Sequence, residues 1–323
     1  MTAWYVFICE NPRISENLCP IQNRQVARNG INIEWIQWIQ LTQQFSGSGN
    51  AMEQVTHINL SHTKEQGQML AKKYFTKGLE LLQQLEDTQL ANIEQAAEII
   101  AQATAEGHTL YAWGGPHSSL PVQDIFYRAG GLTLVNPVFA PGLTLEEGPI
   151  RVGSFIERAE GYGREFFSHI GAEADDVIIL VSTSGRNAFP IEMAISAREA
   201  GLKVVGLTSL TYSQSVPSRH SSGKKMYQYC DVVLDSLTVP GDAILEDESL
   251  PQKVGPTSGW VGCFLLQALM AEVAERLAAR GVQPPIFFAL NLDGQEEYVE
   301  ALERLRVTHG TKFGGTYSPR RKG

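Results

Sequence analysis

Val181-Ser182-Thr183-Ser184-Gly185-Arg186-Asn187 sets hydroxyls, a glycine, a guanidinium and a carboxamide in one unbroken run. The run leaves an apolar segment, Val177 to Val181, and enters a helix that Pro190 is expected to open. Small hydroxyls beside the free N–H groups of a helix start form a concave set of donors, which suits a phosphate dianion without a lysine. Gly185 lets the backbone approach such a ligand closely. Helix capping is the plainer reading, and a single serine would satisfy it. A run of this composition exceeds that need.

Two other turns carry similar residues. Gly114-Gly115-Pro116-His117-Ser118-Ser119 places Ser118 and Ser119 at a helix start, and His117, which titrates near neutrality, is suited to proton transfer or to contact with a ligand hydroxyl. A capping role explains that histidine nearly as well. Ser218-Arg219-His220-Ser221-Ser222-Gly223-Lys224-Lys225 mixes hydroxyls, cations and an imidazole, and reads equally as solvated surface. Thr257 and Ser258 begin a long apolar helix, where they either close a pocket or simply cap.

Other chemistries are excluded by what these turns lack. There is no G-x-x-x-x-G-K-[ST] phosphate loop. The esterase elbow G-x-S-x-G fails because Ser182 occupies its first glycine position. Gly114-Gly115-Pro116 is not a dinucleotide fingerprint, and Pro116 removes an N–H that a pyrophosphate needs. There is no H-E-x-x-H, and the seven histidines show no zinc spacing, so neither a metal nor a cofactor is expected.

The elements that must position these turns are legible from periodicity. Leu70, Tyr74, Leu81 and Leu85, then Leu90, Ile93, Ala97, Ile100 and Ala101, recur at helical spacing and predict a pair of N-terminal helices, the second closed by Gly107. Strands are expected at 109–113, 132–139, 177–181, 204–207 and 232–234, with helices at about 118–129, 155–170 and 190–200 between them. A long helix at 258–279, a last strand at 286–290 and a short helix at 296–305 follow. Continuous apolar strands alternating with helices predict an α/β, three-layer αβα sandwich around a parallel sheet. In such a sheet, ligands sit beyond the carboxyl ends of the strands, where the three turns lie.

Composition narrows the partners. The formal charge of −9 argues against a nucleic-acid grip, and the basic run Arg320-Arg321-Lys322 reads as a solvated tail. No stretch of about twenty apolar residues spans a membrane and no signal peptide is evident. The four scattered cysteines suit a reducing compartment, so a cytoplasmic protein is expected. Residues 1–60, with Trp4, Trp35 and Trp38, read as an N-terminal extension, 61–307 as the folded domain and 308–323 as a tail.

At this point the residues carry a resemblance. VSTSGRNAFPIEMA after an apolar strand resembles the phosphosugar loop of the SIS (sugar isomerase) family. FYRAGGL from Phe126, ERAEGYG from Glu157, SRHSSGKK from Ser218 and VGPTS from Val254 resemble an uncharacterised bacterial group within it. Phosphoheptose isomerase, the isomerase half of glucosamine-6-phosphate synthase and N-acetylmuramic acid 6-phosphate etherase are more distant relatives. The resemblance covers about residues 62–294 and implies a flavodoxin-like sheet of five parallel strands preceded by N-terminal helices. Those helices would pack against a partner subunit, giving a homodimer or homotetramer. It further implies that Ser182, Thr183 and Ser184 hold a phosphate, assisted by Ser118 or Ser119. The chain departs from the family where Pro116 replaces a second glycine and Ser119 a frequent histidine. Asn291-Leu292-Asp293-Gly294 retains the family's C-terminal segment.

The expected activity is binding of a phosphorylated sugar with aldose–ketose isomerisation through an enediol. Glu157 and Glu160 are the candidate bases, with Glu146 and Glu147 as weaker ones. His220 and His117 are candidates for ring opening, and Arg186 and Arg219 for steadying phosphate or sugar oxygens, with Asn187 beside them. A lyase or etherase on a sugar phosphate and a non-catalytic sensor are the alternatives.

Overall fold

The computed structural model describes residues 69–145, 149–289 and 300. Expectations for residues 1–60, Glu146, Glu147, the segment 291–294, the helix at 296–305 and the tail at 308–323 lie outside them.

Five parallel strands form the sheet: β1 (Leu110–Gly114), β2 (Val135–Pro137), β3 (Val177–Val181), β4 (Lys203–Thr208) and β5 (Val232–Asp235), in the order β2-β1-β3-β4-β5. This is the flavodoxin-like order, whose switch point falls between β1 and β3. There Leu110 pairs with Val177 and Gly114 with Val181, so the turns after both strands emerge side by side. Alternation along each strand feeds two separate cores. Ala112, Ile179, Val181, Val205 and Leu207 face one helical layer, made of α1 (Leu70–Ala105) and α7 (Ser258–Ala279). Tyr111, Trp113, Ile178, Leu180 and Val204 face the other, where α4 (Tyr162–Ser168) and α5 (Ala188–Glu199) lie.

Several elements differ from the sequence reading. The expected pair of N-terminal helices is one continuous helix of 36 residues, α1. The segment between the two periodic stretches contains no glycine or proline to break it. Gly107, at φ +89°, ends it, with His108 N–H donating to Ala103 O (2.8 Å) and Gly107 N–H to Thr104 O (3.0 Å). The helix expected at 155–170 is instead two short ones, α3 (Ile150–Ile156) and α4, separated by a turn through Gly161 at φ +95°. Only Val135–Pro137 of the run 132–139 pairs with β1, because Leu132 turns away to bridge Ile286 in the antiparallel sense. The last expected strand therefore contributes that bridge and no sixth strand to the sheet. Helix α2 (Ser119–Asp124) is shorter than the one expected at 118–129, while α6 (Leu210–Ser215), which follows β4, and the antiparallel pair β6 (Ala243–Leu245) and β7 (Val254–Pro256) were not expected. Among the described residues no helix is long and apolar enough to cross a membrane.

Candidate functional site

The turn after β3 is held by its carbonyl groups. Thr183 O accepts from Ser209 N (2.9 Å) and Thr208 Oγ1 (3.1 Å), Gly185 O from Met226 N (2.9 Å), and Arg186 O from Arg219 N (2.8 Å). Its amides are used differently. Ser182 N–H donates to Leu207 O (3.0 Å), but the N–H groups from Thr183 to Asn187 donate to no acceptor among the described residues. The hydroxyls of Thr183 and Ser184 are likewise unpaired there, on half-buried residues, while Ser182 is buried. Unpaired donors concentrated on one side of a turn make an anion-binding concavity. Gly185 makes the turn possible: its φ is +55°, and a Cβ there would crowd Met226 Cβ and Thr208 Oγ1, each at 3.3 Å. Helix α5 starts at Ala188, two residues before Pro190, and has no side-chain cap. Its Phe189 N–H is already given to Glu157 O (3.0 Å), so free donors lie mainly in the turn itself.

Cations surround this turn. Arg158, Arg186 and Arg219 make no ion pair among the described residues, unlike Arg128, Arg164, Arg198, Arg276 and Arg280. Arg186 Nε is buried without a hydrogen-bond partner. Loss of solvent, then the repulsion of Arg186 and Arg158, draws Arg219 below the ordinary guanidinium range. Lys225 is buried, its ammonium donating to the carbonyls of Ser213 and Val216; desolvation and Arg186 lower its pKa. Uncompensated positive charge of this kind favours an anionic ligand.

Asn187 does not face the turn. Its Nδ2 donates to Glu157 Oε2 (2.8 Å) and its Oδ1 accepts from Arg219 (2.9 Å), so it ties a carboxyl to a guanidinium. Burial dominates at Glu157 and pushes its pKa up to about 7, against the opposing pull of Asn187, Arg158 and Arg219. Glu160 is the reverse case. Its carboxylate accepts from Ser221 Oγ (2.8 Å) and Ser221 N–H (2.6 Å), and these bonds hold its pKa below the usual carboxylate range. A general base must be able to take a proton near working pH, and Glu157 meets that condition better than Glu160.

His220 is largely withdrawn from solvent, with Nδ1 hydrogen-bonded inside its own cluster and Nε2 within ion-pair distance of two carboxylates. Nδ1 lies 2.8 Å from Ser222 Oγ and accepts from Ser222 N–H (3.2 Å). Nε2 stands 3.8 Å from Glu192 Oε1 and 4.0 Å from Glu160 Oε2. His117, by contrast, is exposed at the end of β1. Glu192 was not among the residues singled out from the sequence. Its signal was a lone carboxylate within the otherwise apolar FPIEMA, which periodicity places on a buried face.

The turn after β1 is a tight fold of backbone. A Cβ at Gly114 would lie 2.0 Å from Ser118 O, and one at Gly115 2.7 Å from Leu143 O, so the Gly-Gly pair is a packing requirement. Ser119 is fully buried, donates to Pro116 O (2.6 Å) and accepts from Gln123 Nε2 (3.1 Å); its hydroxyl braces the turn. Ser118 is the half-buried N-cap residue of α2 without a side-chain cap bond, and remains available. Thr257 and Ser258 are occupied by Asp242. That carboxylate takes both N–H groups (2.8 Å each) and both hydroxyls (3.3 and 2.6 Å), capping α7. A groove of about 500 Å³ lies between the loop after β2 and α4, lined by Phe126, Phe139, Tyr162 and Phe166 among others. None of the candidate residues named above lines it.

Among the described residues no group of His, Cys, Asp and Glu is arranged to hold a metal ion. The SIS domain family model matches residues 73–209, a span that includes β1, β3, the turn after it and α5. A UPF0309 protein of Shouchella clausii is 42% identical over 231 residues, 72% of this chain and 94% of that protein. The chain belongs to the UPF0309 family. A second UPF0309 protein, from Streptomyces griseus, is 40% identical over 71% of this chain and 92% of its own length. The solved structure of phosphoheptose isomerase from Neisseria gonorrhoeae is similar at 18% identity and a TM-score of 0.43, covering 64% of this chain and 97% of that one. The matched SIS segment contains the turn after β3. The segments carrying Arg219, His220 and Lys225 lie beyond it in sequence.

Proposed function

We propose that this UPF0309 protein binds a phosphorylated sugar at the carboxyl ends of β1, β3 and β4 and interconverts its aldose and ketose forms. One observation carries the binding part: every described carbonyl bond of the turn at 183–186 runs inward, while its amides and hydroxyls have no partner among the described residues. A phosphate dianion supplies the acceptors those donors lack and balances Arg186, Arg219 and Lys225. The SIS family match supports the same reading.

Glu157 is the base in this proposal. Its carboxylate form removes the proton at C2, the hydroxyl proton passes from O2 to O1 by way of the enediol, and the same carboxyl returns its proton to C1, so nothing is consumed. A pKa of about 7 leaves both forms populated near neutrality. His117, which is exposed at the end of β1, is the candidate for ring opening, since His220 is largely withdrawn from solvent and its Nδ1 is hydrogen-bonded to Ser222. A homo-oligomer and a cytoplasmic location belong to the same proposal.

The test is a thermal-shift panel of sugar phosphates, followed by NMR of the best binder in deuterated water. Deuterium entering at C2 with an aldose/ketose mixture supports isomerisation. Loss of a substituent would make the protein a lyase or etherase, and binding without turnover would make it a sensor. Glu157→Gln should keep binding and abolish exchange; an unchanged exchange rate removes Glu157 from the mechanism.

A further inference from the structure

We propose that Glu192 is the positioning residue of this site: its carboxylate moulds the Gly161–Gly163 turn that follows Glu157 and Glu160, and fixes the His220 ring with its Nε2 proton directed between Glu192 and Glu160. The arrangement deepens the phosphosugar reading but is observable without it.

Glu192 is 2% exposed, one turn into α5 from the anion-binding turn. Its Oε1 accepts from Gly161 N–H (2.5 Å) and its Oε2 from Gly163 N–H (2.8 Å). Each oxygen is thus spent on a different amide of the same turn. The glycines answer to that geometry. Gly161 sits at φ +95°, and a Cβ at Gly163 would come 2.8 Å from Glu192 Cβ and 2.7 Å from Phe189 O. The break between α3 and α4, which the sequence did not foretell, is therefore built on a side chain 30 residues away; Glu192 binds back across 31 and 29 positions.

A buried carboxylate that has accepted two amides still needs a compensating charge or dipole. Among the described residues His220 is the group capable of positive charge within ion-pair distance of it, with Nε2 3.8 Å from Oε1. The ring's other nitrogen decides the tautomer. Ser222 N–H is a donor only, and it points at Nδ1 (3.2 Å), so Nδ1 holds a lone pair and the proton of the neutral ring sits on Nε2. That N–H faces the gap between Glu192 and Glu160, whose Oε2 is 4.0 Å away. Glu160 in turn grips Ser221, the next residue along. Three chain segments, around 160, 192 and 220, meet at one imidazole, and only Glu192 contacts both of the others from inside the fold.

The experiment uses the full chain with ¹⁵N-labelled histidine, the His220 signal being assigned by its loss in His220→Gln. Long-range ¹H–¹⁵N spectra of the wild type should show the Nε2–H form; an Nδ1–H signal overturns the proposal without any variant. Glu192→Gln loses one of the two oxygen acceptors. It should raise amide hydrogen exchange at Gly161 or Gly163 at least tenfold and mix the His220 tautomers. Affinity for inorganic phosphate, the probe of the separate anion turn, should stay within about twofold. Unchanged tautomer and exchange rates, or a tenfold loss of phosphate affinity, would defeat it. If Glu192→Gln does not fold, amide exchange in the wild type still decides: Gly161 and Gly163 should be protected by the Glu192 carboxylate, and free exchange at both would defeat the proposal. Failure of phosphate to bind the wild type strikes the phosphosugar reading alone, because the tautomer measurement needs no ligand.

Discussion

Ser184 and Glu157 are where single atoms decide most. Under the proposed function, removing the Ser184 hydroxyl deletes one donor to the phosphate that has no partner among the described residues. A hydrogen bond to a charged group contributes about 1.5–3 kcal/mol. Ser184→Ala should therefore weaken phosphosugar affinity roughly 10- to 100-fold by calorimetry. An unchanged affinity would displace the site. Glu157 makes a prediction in pH. Its carboxyl rises from the ordinary 4.5 to about 7 in the folded chain. Below pH 4.5 the proton is held in both states; between 4.5 and 7 the unfolded chain releases it first, so stability falls as pH rises, and above 7 the loss is complete. The span is on the order of 3 kcal/mol at most. Urea titrations at pH 5 and pH 8 should show it in the wild type and not in Glu157→Gln. Much of this was legible in residue types. The Ser182–Asn187 run pointed to the turn whose amides find no acceptor among the described residues, because those types in sequence have few other uses. Glu192 and the division of labour between Glu157 and Glu160 were not legible. They depend on which carboxyl is buried and which meets Ser221, and burial is a property of the packed molecule.

Elements explain which other hydroxyls serve the fold. Asp242, at φ +66°, is spent entirely on the first residues of α7. Asp242→Ala should cost about 1–2 kcal/mol in unfolding experiments and leave sugar-phosphate affinity unaltered. A matching loss of affinity would return Thr257 and Ser258 to the ligand. In the turn after β1, a Cβ at Gly114 would strike Ser118 O at 2.0 Å. Gly114→Ala is expected to destabilise by roughly 1–3 kcal/mol, read as a lowered Tm, because backbone has to move. The strands at 177–181 and the helix at 258–279 were read correctly to the residue, since continuous apolar runs with polar flanks leave little choice. The division of 155–170 escaped because its cause, the Glu192 carboxylate, is remote in sequence. The apparent gap in the N-terminal helix arose because the buried stripe Leu81, Leu85, Gln89, Ile93 and Ala97 passes through a glutamine, while the apolar Leu90 is exposed.

At the scale of the whole molecule, the described residues cover α1 unevenly. No residue before Leu81 is buried in it, and Met69, Phe75 and Leu79 are 71%, 74% and 67% exposed. Surfaces of this kind are ordinarily covered by a partner. We expect a second copy of the chain: light scattering should give a multiple of the chain mass, and Phe75→Asp with Leu79→Asp should reduce it. A monomer before substitution would contradict this. Tyr74 nevertheless fastens the same end of α1 to the rest of the fold, its hydroxyl meeting Pro256 O (2.5 Å) and Trp260 Nε1 (2.8 Å). Helix α5 has a different consequence. The anion turn enters its tip, Asn187 at that tip holds Glu157, and Glu192 one turn further holds the segment beyond. The two sides of the proposed site are thus mounted on one short rod. Under the proposed function such a calliper should discriminate by length, with the thermal-shift panel favouring one number of carbons between phosphate and carbonyl over sugars one carbon shorter or longer; equal shifts across lengths would contradict this.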